Sequence, residues 1–270
     1  IFAAALSPDG KWLVCGLRPS RYAGAAPYVM VWDALTHEKV FDIHSHTNTV
    51  LSVDVSPDSA KFATGSVDNL VFIWSMRTGQ RRVGPLFHDG WVVAVRFSPD
   101  GDRIATASAS FTPNPKSIRI YNSKDGQQLL NIPFWFSTEA SSPLAWSIDG
   151  RQLFAVWSGG SEAKSFDTSS GMLLSKWSLP SCGSSASVAP ACNQKFIIIT
   201  SSKSMSFWDT LTCTQIGTVI KHANDVLSIA LSPSDDCIVT GDKKGKVTIR
   251  SLHDILPSSY LTANVSHPIR

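Results

Sequence analysis

The sequence predicts an all-β fold built from six tandem units of four short strands each. Three observations carry this. A turn signal recurs along the chain: SPDG at Ser7, SPDS at Ser56, SPDG at Ser98, SIDG at Ser147, APAC at Ala189 and SPSD at Ser232. The spacings are 49, 42, 49, 42 and 43 residues, and a period in the low forties marks a repeat architecture. The segments between turns alternate apolar and polar residues and are rich in β-branched residues, with no helical periodicity of useful length.

Within each unit the elements follow one order. An alternating strand precedes the turn, as in LSVDVSPD, VAVRFSPD and LSIALSPS. A second apolar run follows it: KWLVCG, KFATGS, RIATAS, QLFAVW, KFIIIT and CIVTGD. The third ends on an aromatic in five units, YVMVWD, LVFIWS, SIRIYN, AKSFDT and MSFWDT, with VTIRSL the exception. A weaker fourth run reads KVFDI, QRRVGPL, QQLLNI, MLLSKW and TQIGTV, and PSSYLTANVSH is its candidate in the sixth unit. Gly, Pro, Asp and Ser separate the runs, as turns require.

Four strands per unit, with Trp-Asp closing the third at Trp32-Asp33 and Trp208-Asp209, resembles the WD-repeat family of β-propellers. The resemblance covers essentially the whole chain. It implies one propeller domain over 1–270, with blades at about 1–45, 46–87, 88–136, 137–181, 182–221 and 222–267. Because the chain opens inside a strand, the expectation is six blades of a seven-bladed propeller, with a closed six-bladed ring as the alternative. The resemblance also implies a hydrogen-bonded tetrad within a blade, which here falls on His46, Thr64, Asp68 and Trp74. Trp only donates and an ionised Asp only accepts, while His and Thr relay between them. The third unit keeps His88 and Thr106 but has Tyr121 for the Trp. The sixth keeps His222 and Thr240 with Lys244 and Arg250 in place of Asp and Trp.

Composition narrows the function. Hydrophobic residues make up 43% and charged residues 17%, and the net charge is +3, so the chain is globular and lacks the strong basic excess of a nucleic-acid domain. Five Cys without a CxxC pair read as reduced thiols and point to the cytoplasm or nucleus. No apolar run reaches the ~18 residues of a membrane span. His44-Ser45-His46 has no companion ligand at metal spacing. GDKKGKV at Gly241–Val247 joins two strands and reads as a hairpin turn rather than a phosphate loop. The sequon at Asn264 is a chance match. No nucleophile or paired-carboxylate context is visible, so no enzyme activity, cofactor or metal is expected, and nucleic acid and membrane are not expected partners.

The reading is a non-enzymatic scaffold that presents a propeller rim to protein partners. Two segments are expanded by seven residues, giving Arg18–Pro27 and Ser110–Lys116. They bring Arg18, Arg21, Tyr22, Phe111 and Lys116 to the rim that holds the tetrad His. The same rim carries Thr49, Leu51, Val67, Trp91, Val93, Asp225 and Leu227, with Trp135 nearby. Trp91 is the foremost anchor candidate, since aromatic and Arg anchors dominate interfaces. Three other functions remain open. One is the sensor array of a larger nucleotide-triphosphatase switch, whose repeat tails TGQRRVGPLFHDGWVVAVRFSPDG is similar to. A second is a substrate receptor of a cullin-type ubiquitin ligase, on the IWSMR box at Ile73–Arg77. The third is an RNA- or phospholipid-binding propeller, on Arg81-Arg82.

Overall fold

The computed structural model describes residues 1–18, 29–109, 117–134, 143–156, 162–179 and 185–261. They form six antiparallel sheets, each a meander of consecutive strands. Blade one holds β1 (Ala3–Leu6), β2 (Trp12–Gly16), β3 (Val29–Asp33) and β4 (Lys39–Ile43). Blade two holds β5 (Val50–Val55), β6 (Lys61–Ser66), β7 (Leu70–Ser75) and β8 (Arg81–Phe87). Blade three holds β9 (Trp91–Phe97), β10 (Arg103–Ala109), β11 (Ser117–Asn122) and β12 (Gln128–Pro133). Blade four holds β13 (Leu144–Trp146), β14 (Gln152–Val156), β15 (Glu162–Asp167) and β16 (Leu173–Ser178). Blade five holds β17 (Ala186–Pro190), β18 (Phe196–Ser201), β19 (Ser204–Asp209) and β20 (Gln215–Lys221). Blade six has three strands among the described residues: β21 (Val226–Leu231), β22 (Cys237–Asp242) and β23 (Val247–Ser251).

The candidate fourth strand of the sixth unit falls mostly on residues outside the described set. In the first part of PSSYLTANVSH, Ser258–Tyr260 is a short 3-10 helix, and residues 262–270 lie outside the described set. Leu252, Leu256 and Leu261 bury themselves against Phe196, Ile198 and Phe207 of blade five. Tyr260 Oη also donates to Asp209 at 2.8 Å.

The repeated turn has a clear chemical basis. In SPDG the Ser hydroxyl donates to the Asp carboxylate: Ser7 to Asp9 at 2.6 Å, Ser56 to Asp58 and Ser98 to Asp100 at 2.5 Å. The same Ser oxygen accepts the amide that opens the next strand, from Trp12, Lys61 and Arg103 at 2.9 Å each. The fourth residue takes a left-handed conformation, with φ of +73° at both Gly10 and Gly101, where glycine carries no Cβ penalty.

The Asp of each Trp-Asp pair has an equally local role. Asp33 accepts the amides of Leu35 and Thr36 at 2.8 and 2.9 Å, and Asp209 those of Leu211 and Thr212 at 2.9 and 2.7 Å. In blade three Asn122 does the same for the Lys124 amide. These residues cap the turn between the third and fourth strands.

The chain divides into two compact units. The first comprises residues 1–138, 149–153 and 166–172. Its blades one and two enclose Val14, Val31, Val53, Phe62, Phe72 and Trp74. Blades two and three enclose Ala63, Val71, Ile73, Val92, Val95 and Ile104. The second comprises 139–148, 154–165 and 173–270. There Phe154, Trp177, Val188, Ile197 and Trp208 form one core. Such strands are buried on both faces, so each blade gains stability from its neighbours.

Candidate functional site

In the first unit, three backbone hydrogen bonds join four loops into one rim. Val50 N–H donates to Leu17 O at 3.2 Å, Val67 N–H to Thr49 O at 2.9 Å, and His88 N–H to Asn69 O at 2.9 Å. The rim therefore runs from Arg18 through Thr47–Thr49 and Val67–Asn69 to Phe87–Trp91.

Beneath it lies the hydrogen-bonded chain of blade two. The Trp74 indole N–H donates to Thr64 Oγ1 at 3.0 Å. The Thr64 hydroxyl donates to His46 Nε2 at 2.8 Å, and His46 Nδ1 donates to Asp68 Oδ2 at 2.8 Å. The relay runs one way, so a single histidine tautomer serves both contacts. Asp68 also accepts the Thr47 amide at 2.9 Å and the Leu70 amide at 3.0 Å, which pins two rim segments to one carboxylate. Burial alone would raise the Asp68 carboxyl. The His46 hydrogen bond, with the two amides, outweighs it and holds the group below the usual carboxylate range. The Phe72 ring packs on His46 at 4.8 Å and on Trp74 at 5.4 Å.

Blade three supports the rim by other means. His88 Nε2 meets Thr106 Oγ1 at 2.8 Å, and its Nδ1 turns to Leu86 O at 3.2 Å. Burial, with the positive Arg119 nearby, pushes the His88 pKa down to about 4. Arg119 reaches from β11 to the rim, donating to Phe87 O at 2.7 Å and pairing with Asp89.

The candidate rim residues fall into four groups. Leu51, Val67 and Trp91 are half-buried, and Arg18 is exposed. Trp91 opens β9 opposite Ala109, so it is less open than an isolated rim aromatic. Val93 is 3% exposed and Thr49 7%. Val93 is covered because strands of a blade are buried on both faces, and neither side chain is free for a partner. Asp225 and Leu227 belong to blade six, in the second unit, with Leu227 exposed. Arg21, Tyr22, Phe111, Lys116 and Trp135 lie outside the described residues.

One rim residue escaped the sequence reading. Phe87 ends β8 with 70% of its surface exposed, beside the Asp89–Arg119 pair. The signal was present: in RRVGPLF the buried positions are Val83 and Leu86, which leaves Phe87 facing outward.

The paired arginines are partly committed within blade two, since the Arg81 guanidinium lies over the Phe72 ring at 5.4 Å. Among the described residues no group of three His, Cys, Asp or Glu is placed to hold a metal ion. None of their helices is long and apolar enough to cross a membrane.

The model of the WD domain, G-beta repeat, matches residues 37–75, 83–122 and 213–250. The chain carries WD repeats at these three segments. The first two matches end at the third strands of blades two and three, and the last spans the third strand of blade six. Among curated proteins, eukaryotic translation initiation factor 3 subunit I of Pyricularia oryzae is 36% identical over 53 residues, covering 20% of this chain and 16% of that protein. The same subunit of Aspergillus terreus is 38% identical over 52 residues, 19% of this chain and 16% of its own length. Protein groucho of Drosophila melanogaster is 31% identical over 80 residues, 30% of this chain and 10% of its own. The matched part of this WD-repeat chain spans about a sixth or less of these relatives.

Proposed function

We propose that this WD-repeat chain is a non-enzymatic interaction platform, working inside the cell, whose rim over blades two and three docks a protein partner. The observation that carries the reading is the pairing of a fixed base with an open aromatic. The tetrad and the Asp68-bound amides hold the loops in place, and Phe87 stands exposed beside the Asp89–Arg119 pair. A rigid frame lowers the ordering cost of binding, and aromatic and Arg side chains are the usual anchors. Trp91, Leu51, Val67 and Arg18 extend the surface. The similarity to a subunit of a translation initiation factor, a component of a larger assembly by its name, supports the same reading.

The test is affinity capture from cell extract with the full-length protein, quantified beside Phe87→Ala and the double variant Phe87→Ala/Trp91→Ala. Loss of the main partner at unchanged Tm is the expected result. Undiminished recovery by the double variant would contradict it.

A further inference from the structure

Blade six aligns with blade two residue for residue at the tetrad positions, and the outcome is inverted. Where blade two buries Asp68 and Trp74, blade six exposes Lys244 and Arg250. His222 and Thr240 remain, but His222 Nε2 is buried without a hydrogen-bond partner. Burial and the charge of Arg250 push the His222 pKa down, with Asp242 opposing.

Four more cations join these two within the second unit. Lys203, Lys221, Lys243 and Lys246 are all exposed. Backbone bonds bring their loops together: His222 N–H donates to Lys203 O at 2.7 Å, and Lys243 N–H to Asp225 O at 2.9 Å. Lys221 Nζ reaches Ser204 Oγ at 3.0 Å. The turn that carries three of the lysines is fixed by Asp242, whose Oδ1 accepts the Lys244 and Lys246 amides at 2.9 Å each. The nearby acids are Asp225 and Asp242, and Asp242 is occupied by the turn and by Asn224 at 2.9 Å. Six cations against two carboxylates, in a chain of net charge +3, is a concentrated positive field.

We propose that this face of blades five and six binds an acidic, extended segment of a protein partner. The proposal deepens the interaction-platform reading and rests on it. Charge complementarity selects the sign of the ligand. The choice of a peptide follows from β23, the outer strand of its sheet among the described residues. Thr248 and Arg250 point to one side of it, and Val247 and Ile249, whose exposures are 65% and 69%, to the other. An extended segment that runs alongside β23 and alternates acidic and apolar residues meets both sides. Single-stranded nucleic acid would need stacking surfaces, and the aromatic residues of β18 and β19, Phe196, Phe207 and Trp208, are buried.

Fluorescence anisotropy on the full-length protein tests this with a labelled peptide of alternating Glu and Val, its Gln counterpart, single-stranded polyuridine and phosphatidylserine vesicles. The Glu peptide is expected to bind and the Gln peptide not to. Lys244→Glu/Lys246→Glu is expected to weaken the Glu peptide by about tenfold, and added salt to weaken it further. Arg250→Gln, which reverses no charge, is expected to show a smaller loss and covers the case in which the double variant fails to fold. Equal binding of the two peptides, or binding indifferent to both variants, would overturn the proposal. Tighter binding of polyuridine or of vesicles than of the Glu peptide would overturn the choice of a protein segment. Capture through Phe87 is read separately, in the same Lys244→Glu/Lys246→Glu protein. If it persists while the peptide fails to bind, the cationic face falls and the platform reading stands.

Discussion

Blades two and six share the register of their first three strands and two tetrad residues, yet they put those residues to opposite use. In blade two His46 and Thr64 are links in a closed relay ending on Asp68. In blade six the matching His222 has an unpartnered nitrogen, and cations stand where the acceptor and the indole would be. The next strand positions differ in the same sense. Val71 and Ile73 are fully buried, while Val247 and Ile249 are mostly exposed. The lesson is that the repeat needs the strands and turns in every copy but the tetrad in only some. A copy released from the tetrad is free to carry surface chemistry.

The largest expected effect separates the two blades directly. Asp68→Ala removes the acceptor of His46 and of two amides, and is expected to cost about 2–3 kcal/mol, the penalty of orphaned buried polar groups. Lys244→Ala at the matching position is exposed and should stay within ~0.5 kcal/mol. Urea midpoints of the two variants measure the contrast, and equal midpoints would remove it.

Acid titration of stability distinguishes blade two from blade three. His88 is held neutral, its pKa down from 6.5 to about 4. The unfolded chain therefore takes up a proton before the folded one does. The contribution is full above pH 6.5 and is lost as pH falls from 6.5 through about 4. Asp68 has a lowered carboxyl, so its contribution is present above the ordinary value of 3.8 and is lost only as pH falls below that. His88→Gln is expected to flatten the urea midpoint between these limits, and Asp68→Ala to leave that interval unchanged in shape.

Glycine substitutions sharpen the comparison at a smaller scale. A Cβ on Gly65 would meet Val92 Cγ1 at 2.6 Å and Val95 Cγ1 at 2.9 Å, both in a packed core. Gly65→Ala should cost about 1–2 kcal/mol by overpacking. At the matching Gly241 the added atom meets only the Ser228 hydroxyl, at 2.7 Å, which can rotate away. Gly241→Ala should be close to neutral, and the urea midpoints of the two variants measure the difference.

The smallest expected effect comes from rebuilding the relay. Lys244→Asp/Arg250→Trp supplies both missing groups around His222 and Thr240. A gain of about 1 kcal/mol or less is expected, since a network contributes only when every member is satisfied. A loss of stability would show that blade six lacks the geometry as well as the residues.

The sequence made the frame of this molecule readable wherever the chemistry is local. The SPDG turns need a Ser, an Asp and a left-handed fourth residue within four positions, so they are visible as a motif. His46, Thr64, Asp68 and Trp74 are readable because the blade fixes their spacing. The role of Asp33 and Asp209 as turn caps was not drawn from the motif, although it is equally local. Burial was harder to read. Val93 lies on a strand covered on both faces, where alternation no longer reports which side chain is hidden. The fate of Leu256 and Leu261 depends on blade five, and no pattern within their own segment encodes it. The outward side of Phe87 is hard to read because the buried positions of its strand, Val83 and Leu86, are three apart and break the period of two.

Hydrogen exchange followed by mass spectrometry tests the central claim most directly, by comparing the β6–β7 hairpin with the β22–β23 hairpin in one protein. The relay of blade two should make amides across Thr64–Trp74 exchange more slowly than those across Thr240–Arg250. Asp68→Ala should bring the first hairpin toward the rate of the second. Equal exchange in the two wild-type hairpins, or protection in β6–β7 that survives Asp68→Ala, would contradict it.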